Sequence, residues 1–419
     1  MSRLIAPLLL DNRAFRVFFA GQAVSLLGDQ VSTIALPLVA VLVLDATPAQ
    51  MGYVTTAALL PNLLFSLHAG AWVDRRGRRR QTMVAADLGR ALLIGSIPVA
   101  YWLDALTFAQ LYVVGFLSGL LSVLFFVSYS TLFVSLVPRE QYVEASSLLH
   151  GSRALSSVAG PSLGGLLVQL LRAPTALIVD ACSYVVSALS LARIAPPEPP
   201  VEAAERGHLV AGLRYIVSSP TVRASLAATA TINLFNFVFF ALFILYANRY
   251  LEIEPGVLGV VLGVGAVGGV IGAAVSGRIV RRIGVGPAFL VGCVAFPAPL
   301  VLVPLAGGPR WLVLGCLGLA EFGAGFGVMI LDIAAGAVKA AVVPDRLRAR
   351  VSGAYMVVNY GVRPLGAFVG GVLGETIGVR PTLWLATVAA VAGFAWLLPS
   401  PIPRMRDLPE TEELVATAG

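Results

Sequence analysis

The residues in this sequence that could do chemistry are few, and they lie where they are costly. Asp29, Glu321, Arg153 and Arg363 each sit well inside a long apolar run. An ionisable side chain in a bilayer is expensive unless it faces a cavity or a partner, so each is a candidate for function. Asp29 lies twelve residues beyond Val17, which at ~1.5 Å per helical residue is roughly 18 Å into a hydrocarbon core of ~30 Å. Glu321, ten residues past Trp311, is about 15 Å deep on the same rise, and Arg153 and Arg363 are about 12 and 18 Å deep. A carboxylate in such a place can take up and release a proton, because leaving water disfavours its charged form. Proton and substrate then become alternative occupants of one site, which is antiport in physical terms. Each residue also has a plainer reading. Asp29 could be a structural hydrogen bond or cap in a helix broken near Gly28, and Glu321 a structural group. Arg153 and Arg363 could be counter-ions for a carboxylate or an anionic substrate, or could pair with a backbone carbonyl or acid where helices pack. Asp87 and Arg90, three apart near the inner surface, read as an intrahelical pair. Asp332 could serve a cytoplasmic gate, while Asp180 reads as structural and His68 as a packing residue. No His, Cys or carboxylate cluster has catalytic or metal-ligand spacing, and Cys182, Cys293 and Cys316 sit in apolar runs, so neither an enzyme nor a metal site is expected.

The elements that must position these groups follow from composition. Of 419 residues 58% are hydrophobic and 12% charged, about half the charge of an ordinary soluble domain. Twelve apolar stretches are long enough to cross a bilayer as helices, near 15–44, 51–72, 81–103, 107–135, 145–171, 174–195, 223–250, 257–279, 286–305, 310–337, 351–376 and 379–399. Only helices suit them, since backbone groups in lipid must be satisfied within the segment. Alternate connections and both termini hold 22 basic residues, and the opposite connections hold four: Arg172, Arg249, Arg310 and Arg380. The positive-inside rule places both termini in the cytoplasm. The basic residues track inner loops rather than one soluble face, which argues against nucleic acid. The expected organisation is a six-helix bundle over 1–195, a cytoplasmic linker with a surface-lying amphipathic helix over 196–222, a second six-helix bundle over 223–400 and a cytoplasmic tail over 401–419. No removable leader is read at the N-terminus.

The halves repeat. "LVPREQYVEASSLLHGSRALSSVAGPSLGG" at 136–165 aligns with "VVPDRLRARVSGAYMVVNYGVRPLGAFVGG" at 342–371 at an offset of 206, and an offset of 207 maps Gly70, Arg75 and Gly77 onto Gly277, Arg282 and Gly284. A shared offset over distant segments indicates duplication of a six-helix unit. At offset 207 the mate of Asp29 is Asn236, in a span that also carries Asn233.

Twelve spans in two repeats, with "GAWVDRRGRRR" between the second and third, resemble the major facilitator superfamily. Gly70, Asp74, Arg75, Gly77, Arg78 and Arg79 match its loop signature position by position. "LLGDQVSTIALPL", "ADLGRALL" and "DACSYVVSAL" are similar to the exporter branch that includes the enterobactin and macrolide efflux proteins. Gly160, Pro161, Gly164 and Gly165 resemble the core of the antiporter motif, with Ser147 and Ser156 where the fuller motif has glycine. These four residues read equally well as ordinary small-residue packing. The resemblance implies that spans 1, 4, 7 and 10 line a central cavity faced by Asp29, Asn233, Asn236 and Glu321, with Tyr129 and Ser128 as polar contacts. It also implies a cytoplasmic gate in which Gly70 allows close contact with span 11, Asp74 meets the positive end of that span near Val351 to Gly353, and Asp87 and Arg90 stand nearby. The repeat counterpart "GRIVRRIG" puts Arg281 where Asp74 stands, so the aspartate latch is not duplicated.

The expectation is an all-α protein of the bacterial cytoplasmic membrane that exports a small amphipathic compound in exchange for protons. It needs no cofactor beyond the proton gradient, works as a monomer, and meets only substrate, protons and lipid. An uptake symporter, a facilitator or a lysophospholipid mover of the same fold, and more remotely a membrane enzyme, are the alternatives.

Overall fold

The structure is a computed structural model that describes residues 7–195 and 208–406. The Pro-rich part of the expected linker, 196–207, and the tail beyond 406 lie outside the described residues. The helices are α1 (Pro7–Asp11), α2 (Arg13–Leu42), α3 (Pro48–Arg76), α4 (Arg79–Trp102), α5 (Phe108–Leu136), α6 (Tyr142–Leu171), α7 (Ala173–Ala192), α8 (His208–Ser218), α9 (Pro220–Arg249), α10 (Pro255–Ile283), α11 (Val285–Ala295), α12 (Leu302–Leu305), α13 (Arg310–Val342), α14 (Asp345–Thr376) and α15 (Val379–Ala392). No strand forms among the described residues. Helix starts carry the side chains that satisfy their free N–H groups: Asn12 accepts from Phe15, Thr47 and Gln50 form a capping box, and Thr107 and Ser219 cap α5 and α9.

Among the described residues, eleven helical segments are long and apolar enough to cross a membrane. The segment expected as the second span forms the 29-residue α3. The expected ninth span is not one continuous helix. Helix α11 stops at Ala295 and a 3-10 turn covers Ala298–Val301 before α12, because Pro297 and Pro299 each remove an N–H donor and crowd the preceding turn. Leu92 is 77% exposed, and Val143, Leu155 and Leu170 are similarly bare. Lipid accepts such an outward apolar face and water does not.

The chain divides into two compact units. The first takes the chain up to residue 204 together with Ile253–Gly263, the start of α10; the second takes the remainder. In the first unit α2 packs against α7 and α6, α3 against α5, and α4 against α7 and α5. Its core includes Phe15, Phe18, Met83, Leu132 and Leu191. In the second, α9 packs against α14 and α15, and α11 against α13, around Phe289, Leu331, Ala354 and Leu397. First span against fifth and sixth recurs in both units, the pairing that a duplicated six-helix element would give. The amphipathic α8 lies on α14: Ile216 is buried, the Tyr215 hydroxyl donates to the Val342 carbonyl at 3.0 Å, and Val210 and Val217 remain exposed.

Candidate functional site

Asp29 projects from the middle of α2 toward α7, where the Tyr184 hydroxyl donates to its Oδ1 at 2.5 Å. The Tyr184 ring in turn lies under the Arg90 guanidinium of α4, 4.2 Å from ring centroid to Cζ, and Phe125 of α5 flanks the same guanidinium at 4.6 Å. Arg90 is ion-paired with Asp87 one turn earlier. Helices α4, α5 and α7 thus meet at one guanidinium, and α2 joins them through Tyr184.

A second carboxylate stands on the same α2–α7 seam. Asp180 accepts a hydrogen bond from Ser32 of α2 and another from Ser183 at 3.2 Å, and Gln22 reaches Ser187 at 3.1 Å. The seam can close this tightly because of Gly28, where an added Cβ would lie 2.1 Å from Ser183 Oγ and 2.6 Å from Asp180 Oδ1. Asp87 and Asp180 are fully buried, Arg90 and Tyr184 nearly so, and Asp29 is half-buried. Among the described residues, Nε of the buried Arg90 has no hydrogen-bond partner. A pair placed only for packing need not carry that cost.

Within the first unit, the structure therefore joins Asp29, Asp87, Arg90 and Asp180, which the sequence had placed in three different roles. Asp87 and Arg90, expected near the loop signature, stand further along α4. Arg79 and Arg90 are eleven residues apart on α4, about 16 Å along the helix, which carries Arg90 up to the level of Tyr184. Asp180, read as structural, ties α7 to Ser32 of α2. Tyr184 was missed altogether. Its signal lay in "DACSYVVS", where Asp180, Ser183, Tyr184 and Ser187 make a polar stripe of helical spacing on an otherwise apolar span.

The antiporter-like residues lie on the far flank of α2. An added Cβ at Gly160 would stand 2.6 Å from the Gln30 side chain, and one at Gly164 would stand 3.1 Å from Val31 Cα, so α6 is pressed against α2 next to Asp29. Gly165 and Gly259 make an equally close crossing with the start of α10, where the Pro161 carbonyl would be 2.3 Å from a Cβ on Gly259. Arg153 lies over the Tyr129 ring at 5.5 Å, and Tyr129 stacks on Phe18 at 5.5 Å. Ser128 is fully buried and bonds back to Leu124 of its own helix at 2.8 Å, so it offers no polar contact to a cavity.

The loop signature shows a structural share. Gly77 ends α3 in the left-handed conformation, φ 62°. Arg80 donates to the carbonyls of Ala192 and Ile194, at 3.1 and 2.9 Å, at the C-terminal end of α7. Arg79 is buried, whereas Arg75 and Arg78 are exposed. A Cβ on Gly70 would meet no atom within 4 Å. The side chain of Asp74 lies outside the described residues.

In the second unit Arg363 of α14 donates from Nε to Asn233 Oδ1 of α9 at 3.1 Å, and Asn233 donates to Asn359 at 3.3 Å. Asn236 and Glu321 make no hydrogen bond to this group. Glu321 is half-buried on α13 where that helix meets α10. A Cβ on Gly265 would lie 3.1 Å from its Oε2, and one on Gly325 would lie 1.9 Å from the Gly265 carbonyl oxygen.

Apolar helices enclosing charged groups at mid-membrane depth define a membrane transporter. The chain belongs to the Major Facilitator Superfamily, whose family model matches residues 18–366. It is 28% identical over 408 residues to the multidrug efflux pump Tap of Mycolicibacterium fortuitum, covering 91% of this chain and 93% of that one. It is 26% identical over 392 residues to an uncharacterised MFS-type transporter, YfiS, of Bacillus subtilis, covering 89% of each. Among solved structures it is similar in fold to a bacterial homologue of the iron transporter ferroportin in an inward-facing state, with TM-score 0.75 and 17% identity over 92% of this chain and 98% of that one. The nucleoside transporter NupG is as similar, with TM-score 0.75 and 12% identity over 92% and 99%. The protein is accordingly a multi-pass transporter of the bacterial cytoplasmic membrane and not an enzyme.

Proposed function

We propose that the protein exports small amphipathic compounds from the cell in exchange for protons, by alternating access, with Asp29 as the group that carries the exchanged proton. The cluster of Asp29, Tyr184, Arg90, Asp87 and Asp180 carries this reading. Three carboxylates surround one guanidinium in the bilayer interior, so with all of them ionised the cluster would hold two uncompensated negative charges. Low-dielectric surroundings make that state expensive, and a proton relieves it. Asp29 is the member of the three that is not fully buried, which makes it the one open to exchange. Loading a proton there removes a charge that pulls on Arg90 and leaves Asp87 as its principal counter-ion. The packing of α2 against α4 and α7 is thereby tied to the proton. Close contact of α6 with α2 at Gly160 and Gly164 supplies a route by which that change reaches a neighbouring helix. The similarity to multidrug efflux pumps over nearly the whole chain supports export and a broad, apolar choice of substrate.

Asp29→Asn tests the coupling. In everted vesicles, dye uptake driven by an imposed proton gradient should be abolished, while exchange of labelled for unlabelled substrate across the same membrane persists. Gradient-driven uptake equal to wild type would remove Asp29 from the coupling role.

A further inference from the structure

The two units treat their buried arginines differently. Arg90 has a carboxylate in ion-pair contact, whereas Arg363 has none within 4.0 Å among the described residues. Yet Arg363 lies deep in its span, eighteen residues after the first and thirteen before the last residue of α14. A guanidinium at that depth without a carboxylate in contact is costly, and its immediate neighbours hold it in place without neutralising it. Tyr360 and Phe237 stack on it at 3.9 and 5.1 Å. The oxygen of Asn233 is aimed at Nε because the amide nitrogen of Asn233 is already committed to the Thr229 carbonyl at 3.0 Å and to Asn359.

A second cation stands on the facing helix. Lys339 of α13, the single lysine beside 28 arginines in the chain, lies 4.4 Å from the Tyr355 ring centroid and likewise has no carboxylate within ion-pair distance. Asp332, two turns before it, is exposed and attracts both cations from beyond ion-pair distance. Two cations and one acid leave this region one net positive charge, and the arginine fork is held by Asn233 and Tyr360 with no carboxylate in ion-pair contact among the described residues. Such a fork is the group best matched to a planar oxyanion.

We propose that this cluster is an anion-recognising subsite, in which Arg363 takes the carboxylate of a transported amphipathic compound whose apolar body lies along the half-exposed Tyr360. The inference rests on the reading of the chain as a transporter of small amphipathic compounds and names a substrate class within it, amphiphiles that carry an oxyanion. Lys339 adds long-range attraction, and Asn233 fixes the orientation of the fork.

Three probes that share one apolar body separate charge from bulk: 1-pyrenebutyrate, its methyl ester and the matching trimethylammonium compound. Binding to the purified wild-type protein in detergent needs no gradient and no variant. The carboxylate should bind at least about ten-fold more tightly than its ester, the discrimination expected of a site built around a hydrogen-bonded charge. Equal affinity overturns the subsite, and so does displacement by phosphatidylglycerol without displacement by excess pyrenebutyrate, which would assign the fork to a lipid headgroup. In everted vesicles, Arg363→Gln should lower the ratio of carboxylate to trimethylammonium transport by about ten-fold, and Arg363→Lys, which keeps charge but not the fork, by less. A proportional fall for both probes would make Arg363 a structural pin between α9 and α14 and overturn the subsite. Failure of the wild type to move any of the three under a proton gradient would count against the exporter reading and leave the binding result standing.

Discussion

Tyr184 serves the candidate site with two separable parts of one side chain. Its hydroxyl donates to Asp29 and its ring supports Arg90. Tyr184→Phe removes only the first, a hydrogen bond to a charged group worth about 1.5–3 kcal/mol. Gradient-driven efflux should fall, while the unfolding temperature in detergent shifts less than in Tyr184→Leu, which also loses the cation–π contact of about 2 kcal/mol. Efflux by Tyr184→Phe at the wild-type rate would take the hydroxyl out of the coupling. At this scale the sequence was legible in part. Asp29 announced itself as a charge in an apolar run, but its partners could not be read. The contact between Asp29 and Tyr184 spans 155 positions, and tyrosine is unremarkable in a membrane span. Only the polar stripe on α7 hinted that this face meets another polar face.

The helices and their joints follow the repeat offset read from the sequence more closely than side chains do. Left-handed joints occur at Gly77, φ 62°, and Gly284, φ 91°, positions related by the same offset of 207 that relates the loop signatures. A second pair, at offset 206, is Arg172 and Gly378, with φ 67° and 91°. Here one member is not glycine. Arg172 combines its positive φ with ψ 154°, a region costing a side-chain-bearing residue about 1–3 kcal/mol. Arg172→Gly should therefore raise stability by about 1 kcal/mol, after allowing for the extra freedom that glycine gives the unfolded chain. Thermal unfolding in detergent reads the gain, and a lower unfolding temperature would mean that the exposed bond from Arg172 to Tyr101, 3.3 Å long, outweighs the strain. The repeat offset was visible in the sequence because it depends only on residue order. The break after α11 was signalled by Pro297 and Pro299, yet the apolar run continued across them, and hydropathy does not register a missing N–H donor.

For the whole molecule, the number of crossings decides on which side each loop and terminus lies. Among the described residues eleven segments qualify as spans by length and apolar content, and an odd number of crossings would put the termini on opposite sides. The charge pattern requires an even one. Arg13 and Arg16 precede α2, and the arginines from Arg75 to Arg80 follow α3, while the turn between these two helices, 43–47, has no basic residue. If both basic clusters stay in the cytoplasm, α3 must cross as well as α2. Its 29 residues span about 44 Å as a helix, more than enough for a core of ~30 Å. In a background with Cys182, Cys293 and Cys316 replaced, a membrane-impermeant maleimide should label Asp45→Cys in intact cells, and Arg76→Cys only after the membrane is opened. Labelling of both positions from the same side would show that α3 does not cross. The repeat of two six-span bundles would then fail at its second member.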